Sequence, residues 1–365
     1  MPISLPSRTT LLRTGETLLI GAVGGSAFTL LGFPAGLIAG SLLAVAAAAL
    51  VGRPVLMPRP LSRVISVLVG ISLGAVVTPE TLKGLAAFPL SISVLLISTI
   101  CMVIATTSYL RFVHGWDAQS ALFGASPGAL AQVMVLAADY GADIRAIAIV
   151  QVMRVVVLTI GIPMGLAYFG LTAHGMFLPR SGAITSVGEL ALLVAVSTAA
   201  ALLMMRFHLP GGLMFGAMIG SAVLHGGGFI NAVLPWWVAA SAVIGIGAVT
   251  GSRFANTDPR TLIRYLGAAL GSFAVAIAVA TGFMLLLTTL LSVRIADVVV
   301  AFSPGAQDTM MVLALALHLD PIFVGAHHIA RFLLVSLSLP LLAHRLRGTR
   351  TRTTGERSAR PTTED

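Results

Sequence analysis

Ser126-Pro127-Gly128-Ala129 recurs 177 residues further on (126 to 303) as Ser303-Pro304-Gly305-Ala306, and the same offset pairs Arg154 with Arg331. Agreement of this kind at separate places is improbable by chance. The sequence is therefore predicted to contain an internal duplication, with each copy forming one structural unit.

Further matches extend the duplication over both halves. The offset of 177 also pairs Asp143 with Asp320, Gly70 with Gly247 and Gly74 with Gly251. A proline-glycine turn, Phe33-Pro34-Ala35-Gly36, has its counterpart in Leu209-Pro210-Gly211-Gly212. The two halves are therefore expected to share one order of elements.

The composition indicates a membrane protein. The 365 residues are 57% hydrophobic and 10% charged, with a mean hydropathy of +0.99, whereas a soluble domain carries about 25% charged residues. A hydrocarbon core of about 30 Å needs about 20 helical residues to cross it, and runs of this length recur along the chain. We therefore predict an all-α integral membrane protein.

The apolar segments form two series of six, bounded by proline, glycine and charged residues. The first series comprises 16–32, 35–51, 62–78, 85–110, 118–138 and 146–169. The second comprises 187–207, 211–226, 234–252, 262–291, 295–317 and 322–344. We therefore predict a cytoplasmic N-terminus (1–14), membrane repeat 1 (15–170), a linker (171–186), membrane repeat 2 (187–345) and a disordered, Arg-rich cytoplasmic tail (346–365).

The net charge of +9 follows the positive-inside pattern, since basic residues sit mainly in short loops and the tail. Arg8 and Arg13 precede an apolar stretch as in a signal peptide. Without a clear cleavage site, however, the stretch is expected to be an uncleaved first transmembrane helix. The single cysteine, Cys101, excludes an intrachain disulfide.

Two topologies fit the duplication. If all twelve segments cross, the repeats are parallel, and Arg253, Arg260 and Arg264 fall on the side with few basic residues. If the two segments with Ser-Pro-Gly are re-entrant, each half crosses five times and more basic residues share one side. The positive-inside rule therefore favours inverted repeats with both termini in the cytoplasm.

Ser-Pro-Gly inside a helical segment predicts a broken helix, since proline lacks the N–H and glycine frees the backbone. Unpaired amides at membrane depth must be buried in protein or line a cavity, and a half-helix N-terminus there suits an anion. The alternative is a merely kinked helix. Because the break occurs in both halves, we expect a substrate or ion site at Ser126, Pro127 and Gly128 and at Ser303, Pro304 and Gly305.

Polar residues follow each break, namely Gln132 in the first half and Gln307, Asp308 and Thr309 in the second. A carboxylate inside a membrane costs at least about 2.5–3.5 kcal/mol and usually serves an ion path or has a partner. Asp308 is therefore a candidate for coupling a cation or proton. The alternative is that it caps the dipole of the second half-helix.

Arg154 and Arg331 lie inside apolar segments, with Gln151 and His328 three residues earlier on the same faces. One interpretation is structural: the arginines hold carbonyl groups of the broken helices, or Arg331 pairs with Asp308. The other is that the two arginines neutralise an anionic substrate between the halves, which suits the planar guanidinium fork.

The sequence offers little for an enzyme. His327 and His328 are adjacent, which is poor geometry for a shared metal, and no Glu-x-x-His pattern, P-loop, zinc spacing or nucleophile elbow occurs. No cofactor or metal is expected. Direct contact with nucleic acid is not expected either, since no helix-turn-helix or basic soluble domain is apparent.

The duplicated unit, with its Ser-Pro-Gly-Ala break followed by Asp143 or Asp320 and then a helical arginine, resembles the AbrB-type membrane protein family of bacteria over about residues 15–345. Members are often labelled transcriptional regulators or ammonia monooxygenases, and neither label fits the residues present. The Phe33-Pro34-Ala35-Gly36 turn and the Pro-Gly breaks are also weakly similar to the cation/proton antiporter and anion symporter superfamily. That resemblance implies inverted repeats with crossed broken helices and ion-coupled transport, although the paired Asp-Asp or Asn-Asp motif of the antiporters is absent.

Together these features predict a multi-pass protein of the bacterial inner membrane with ten to twelve spans. The expected function is secondary transport of a small, anionic metabolite coupled to a proton or sodium ion. The alternative is a membrane-embedded sensor that affects gene expression indirectly. The expected partners are the lipid bilayer, the small-molecule substrate and a second copy of the chain in a homodimer.

Overall fold

The computed structural model describes residues 7–77, 88–127, 130–171, 186–207, 211–255 and 257–357, with the side chains of these residues except 131, 132 and 346–357. Within those ranges the chain forms fourteen α-helices, a short 3-10 helix at Ser252–Phe254 and no β-strand. Six of the described helices are long and apolar enough to cross a membrane. The predicted all-α membrane class is confirmed.

Among the described residues each repeat contributes seven α-helices, because the fifth predicted segment of each half is two helices separated by a break. Repeat 1 contains α1 (Arg8–Leu30), α2 (Gly36–Leu50), α3 (Arg59–Gly74), α4 (Phe88–His114), α5 (Ala118–Ala125), α6 (Leu130–Asp139) and α7 (Ile144–Tyr168). Repeat 2 contains α8 (Val187–Arg206), α9 (Gly212–Gly226), α10 (Trp236–Gly251), α11 (Pro259–Leu290), α12 (Ile295–Phe302), α13 (Gln307–Ala316) and α14 (Pro321–Arg357).

The first and last helices extend beyond their predicted bounds. α1 begins two turns early, at Arg8, because the Ser7 hydroxyl accepts a hydrogen bond from the Thr10 amide and caps the helix there. Arg8 and Arg13 are exposed and do not interrupt the helix. At the other end α14 continues past 345 to Arg357. The predicted domain boundaries, the inverted orientation and the number of spans remain predictions.

The duplication extends to backbone torsion angles. Ala35 and Gly211, which begin α2 and α9, both adopt left-handed conformations, with φ of 55° and 61°. After α6 and α13, Gly141 and His318 do the same, with φ of 68° and 55°. Left-handed backbone is costly for residues other than glycine, so its use by Ala35 and His318 shows that the turn geometry, not residue type alone, is shared by the repeats.

The repeats are interlocked through their second and third helices. α2 packs against α10 of the other repeat, and α3 packs against α9. A Cβ on Gly74 would collide with the carbonyl oxygen of Met218. A Cβ on Gly251 would likewise collide with the carbonyl oxygen of Leu42. The matched glycines therefore serve helix contact across the repeats.

The second broken helix occupies the centre of the molecule. Met310, Met311, Val312, Leu313 and Ala314 of α13 are fully buried, and α13 contacts α3, α7, α10, α12 and α14. Large apolar side chains on α8 and α11 are instead exposed. Exposed apolar faces of this kind are stable in contact with lipid hydrocarbon. The second break therefore lies in the protein core, and the lipid-facing surface is formed by other helices.

Candidate functional site

Both Ser-Pro-Gly motifs interrupt a helix, as predicted. α5 ends where Ser126 turns extended, with φ of −69° and ψ of 118°, and α12 ends where Ser303 does, with φ of −61° and ψ of 133°. Each serine hydroxyl donates to the carbonyl oxygen four residues earlier, Leu122 at 2.8 Å and Val299 at 2.6 Å. The proline then prevents helix continuation. The kinked-helix alternative is therefore wrong for the second motif, where residues 303–306 are not helical.

In repeat 1, two side chains of α7 hold the end of α5. The Gln151 amide donates to the Phe123 carbonyl oxygen at 2.9 Å, and the Arg154 guanidinium donates to the Gly124 carbonyl oxygen at 2.8 Å. Both side chains are buried. The last carbonyl groups of a helix have no partner within it, so these contacts satisfy groups that the break would otherwise leave unpaired.

In repeat 2, α14 holds the end of α12 in the same way. His328 Nε2 lies 3.2 Å from the Val300 carbonyl oxygen, which accepts a hydrogen bond from it in the Nε2–H tautomer. The Arg331 guanidinium donates to the carbonyl oxygens of Ala301, at 2.6 Å, and of Ser303. These contacts repeat those of Gln151 and Arg154 at the offset of 177. The predicted role of the arginines in holding carbonyl groups of the broken helices is therefore present in both halves.

The two guanidinium groups have no carboxylate partner in the described part of the chain. Arg154 and Arg331 are 3% and 1% exposed, and Arg331 experiences the positive charge of Arg154. The Nε–H group of each lacks a hydrogen-bond partner. Two like charges thus share the interior beside the breaks, and helix C-termini offset them only in part.

Asp308 belongs to the helix that follows the second break, whereas Arg331 contacts carbonyl groups at the end of the helix that precedes it. The electrostatic partner of Asp308 is Arg253, in the 3-10 helix that follows α10. The predicted pairing of Arg331 with Asp308 is therefore wrong, because the guanidinium is already engaged by the carbonyl groups at the end of α12. Asp308 occupies the first turn of α13, whose N-cap, Ala306, provides no side-chain acceptor, so its charge also complements the helix dipole.

Two further polar residues complete this second cluster. Thr309 Oγ1 lies 3.4 Å from Thr250 Oγ1 of α10, and both side chains are buried. Gln307 is 7% exposed, and its Nε2 has no hydrogen-bond partner. A Cβ on Gly211 would overlap that nitrogen, so the start of α9 leaves space for the Gln307 amide because it lacks a side chain.

The matched aspartates are structural. Asp143 caps α7 by accepting from the Ala146 amide at 3.0 Å, and Asp320 accepts from the Ile322 and Phe323 amides at 2.9 and 3.1 Å. Their own amides donate to Ser120 and Asp297. These residues therefore attach the start of each arginine-bearing helix to the start of the preceding broken helix.

The predicted site residues thus form two groups. The first surrounds the ends of α5 and α12 and contains Ser126, Gln151, Arg154, Ser303, His328 and Arg331. The second surrounds the start of α13 and contains Gln307, Asp308 and Thr309, while Pro127, Pro304 and Gly305 belong to the breaks. Gly128 and the side chain of Gln132 lie outside the described residues.

Sequence reasoning missed Thr250 as a neighbour of Thr309 and Arg253 as the charged partner of Asp308. One sequence feature could have pointed to Arg253. Gly247 and Gly251, which match Gly70 and Gly74, indicate a close helix crossing immediately before it. In the sequence analysis Arg253 served only as an argument about topology, because the parallel arrangement places it on the side of the membrane with few basic residues. Its partner could not be identified without knowing that α10 packs against α13.

Comparison with known proteins supports one assignment. Residues 37–347 match the family model described as "Transition state regulatory protein AbrB". The "Putative regulator AbrB" of Escherichia coli (strain K12) is 26% identical over 339 residues, covering 91% of this chain and 96% of that protein. The "Uncharacterized protein YhjN" of Bacillus subtilis (strain 168) is 25% identical over 359 residues, covering 91% and 93%. With a family model spanning most of its length and a duplicated helical fold, the chain belongs to the AbrB family.

Proposed function

We propose that this protein is a secondary transporter of a small anionic metabolite in the bacterial inner membrane, with both termini in the cytoplasm. The carrying observation is the buried pair Arg154 and Arg331, one guanidinium from each repeat, for which the described part of the chain provides no carboxylate. Buried charge is costly unless it is paired. An anion bound between the repeats would supply the missing partner.

The carbonyl contacts alone do not account for these charges. Gln151 holds the Phe123 carbonyl oxygen with a neutral amide at 2.9 Å, so a carbonyl at the end of a broken helix does not require a cation. Hydrogen bonding to these carbonyl groups therefore does not explain why both repeats use a positively charged guanidinium. A carboxylate or phosphate near their unpartnered Nε–H groups would use that charge, since the guanidinium fork suits such anions.

Asp308 is the proposed coupling residue. It lies half-buried in the first turn of α13, experiences the positive charge of Arg253, and follows Gln307, whose amide nitrogen has no hydrogen-bond partner. An intramembrane carboxylate with one cationic neighbour can exchange a proton or a sodium ion as its surroundings change. Transport coupled to that exchange would move an anion against its gradient.

Flux into proteoliposomes tests the proposal. Purified protein should accumulate a labelled carboxylate, phosphate or sulfate without any other protein, and Arg331→Gln should reduce the rate at least about tenfold, because loss of a charge-assisted contact costs roughly 1.5–3 kcal/mol. Arg294→Gln is the matched control, since Arg294 is exposed and paired with Asp297 at 2.7 Å. Absence of flux for every anion class, in protein shown to be folded, would refute transport.

A regulatory role is the second candidate, favoured by the descriptions of the matching family model and of the E. coli relative. A sensor of this kind would act through a partner protein, without touching nucleic acid and without enzymatic chemistry. It would bind an anion at the same arginines yet move none across the bilayer. Binding without flux in the experiment above would therefore select this alternative.

A further inference from the structure

An apolar groove opens on the outer face of the protein, and its lining includes Ser303 of the second break. It has a volume of about 650 Å³ and lies between α7, α11 and α12. Its walls are aliphatic and aromatic side chains such as Leu158, Ile162, Phe273 and Ile277. The groove therefore connects the lipid-facing surface with the residue at which the helix breaks.

Arg331 lies directly behind Ser303. Its guanidinium donates to the carbonyl oxygen of Ser303, so one residue separates the groove from the buried arginine pair. Ser303 belongs to the segment 303–306, which lies outside both half-helices. A shift of this segment would expose the Arg331 guanidinium to the groove without disrupting either half-helix.

We propose that the substrate is an amphiphilic anion, whose apolar tail lies in this groove while its carboxylate or phosphate reaches Arg331 and Arg154. The proposal rests on the proposed function and specifies the substrate class of the same site. Cationic groups at one end and apolar walls along the rest complement a charged head and a hydrocarbon tail. A fully polar metabolite would leave these walls uncovered.

Two glycines allow the groove to be filled without disturbing the fold. A Cβ on Gly161 or Gly165 of α7 would meet no atom within 4 Å, and both residues line the groove. Gly282 of α11 has equally open surroundings but does not line it. Gly161→Leu and Gly165→Leu should therefore occupy the space of the tail, and Gly282→Leu is the matched control.

The experiment measures the affinity of acetate, butyrate, hexanoate and octanoate by thermal shift in nanodiscs. Affinity should rise along the series, with octanoate at least about tenfold tighter than acetate, because each buried methylene contributes favourably. Gly161→Leu and Gly165→Leu should remove this gain while leaving acetate unchanged. Gly282→Leu should behave as the wild type, and Arg331→Gln should weaken the whole series.

The remaining outcomes separate the explanations. A flat series that still depends on Arg331 would overturn the amphiphilic substrate and leave the proposed anion site intact. Chain-length dependence that persists in Arg331→Gln would show that the groove takes membrane lipid only. Loss of a dimer in the leucine variants, measured by cross-linking, would assign the groove to a second copy. If no carboxylate of the series binds and no anion class moves in the flux experiment, the proposed function fails as well.

Discussion

Arg154 and Arg331, although 177 residues apart (154 to 331), are related by the repeat and act on each other as like charges inside the protein. A double-mutant cycle should reveal this repulsion. Each single change to Gln loses carbonyl contacts but also removes the repulsion between the two arginines. The sum of the two single effects therefore counts the loss of this repulsion twice, whereas the double variant loses it once. The double variant should therefore be less stable than the sum of the singles by about 0.5–3 kcal/mol, the usual range for residues that interact.

Thermal unfolding in detergent, with and without the transported anion, provides this measurement. A bound anion screens the repulsion, so the excess should shrink or change sign when it is present. Additive losses under both conditions would mean that the two charges do not interact. A cycle of the opposite sign without anion would mean that an acidic partner neutralises the pair.

Gln151 and His328 perform the same task in the two repeats and should be partly interchangeable. His328→Gln places in repeat 2 the amide that repeat 1 already uses, so it should cost less than about 1 kcal/mol. Gln151→Ala leaves the buried Phe123 carbonyl without its partner, which costs roughly 1–3 kcal/mol. A wild-type melting temperature for Gln151→Ala would show that this carbonyl contact contributes nothing measurable.

The glycine crossings should tolerate no side chain. In Gly74→Ala and Gly251→Ala the new Cβ would collide with backbone carbonyl oxygens of Met218 and Leu42, and forced overpacking of this kind typically costs about 1–3 kcal/mol. Gly282→Ala faces open space and should be neutral or slightly stabilising, since alanine favours helices. Melting temperatures of the three variants would rank them, and a normal value for Gly251→Ala would contradict the tight crossing.

Asp308→Asn should uncouple transport from its driving ion. The side chain keeps its size and hydrogen-bonding capacity but loses the negative charge opposite Arg253. Proteoliposomes should then lose acceleration by a proton or sodium gradient, while anion exchange across the membrane continues. If gradient-driven uptake is unchanged, Asp308 only caps α13.

Reporter fusions decide between inverted and parallel repeats. Fusions after Arg264 and after Arg350 should both report a cytoplasmic location, as the distribution of basic residues predicts. The fusion after Arg264 discriminates, because the parallel arrangement places it in the periplasm. A periplasmic signal near Arg260 would exclude inversion.

The sequence predicted those parts of the fold that depend on local chemistry. Apolar runs located the helices within a few residues, except at the start of α1, which the Ser7 cap extends, and at the end of α14, which continues through polar residues to Arg357. Ser-Pro-Gly located both breaks. The carbonyl contacts of Arg154 and Arg331 were one of two predicted roles. The partner of Asp308 was not predictable, because a contact between α10 and α13 depends on tertiary packing that no periodicity encodes.

The reciprocal packing of α2 on α10 and α3 on α9 bears on how such a chain could arise. Each half packs its second helix on its own first helix but leaves the other side of the second helix, and the third helix, to be covered by the partner half. This arrangement is the one expected if a polypeptide of half the length once assembled with another copy of itself. Fusion of two such genes would fix the ratio of the halves at one to one. It would also allow matched positions to diverge, as Gln151 and His328 do while contacting equivalent carbonyl groups.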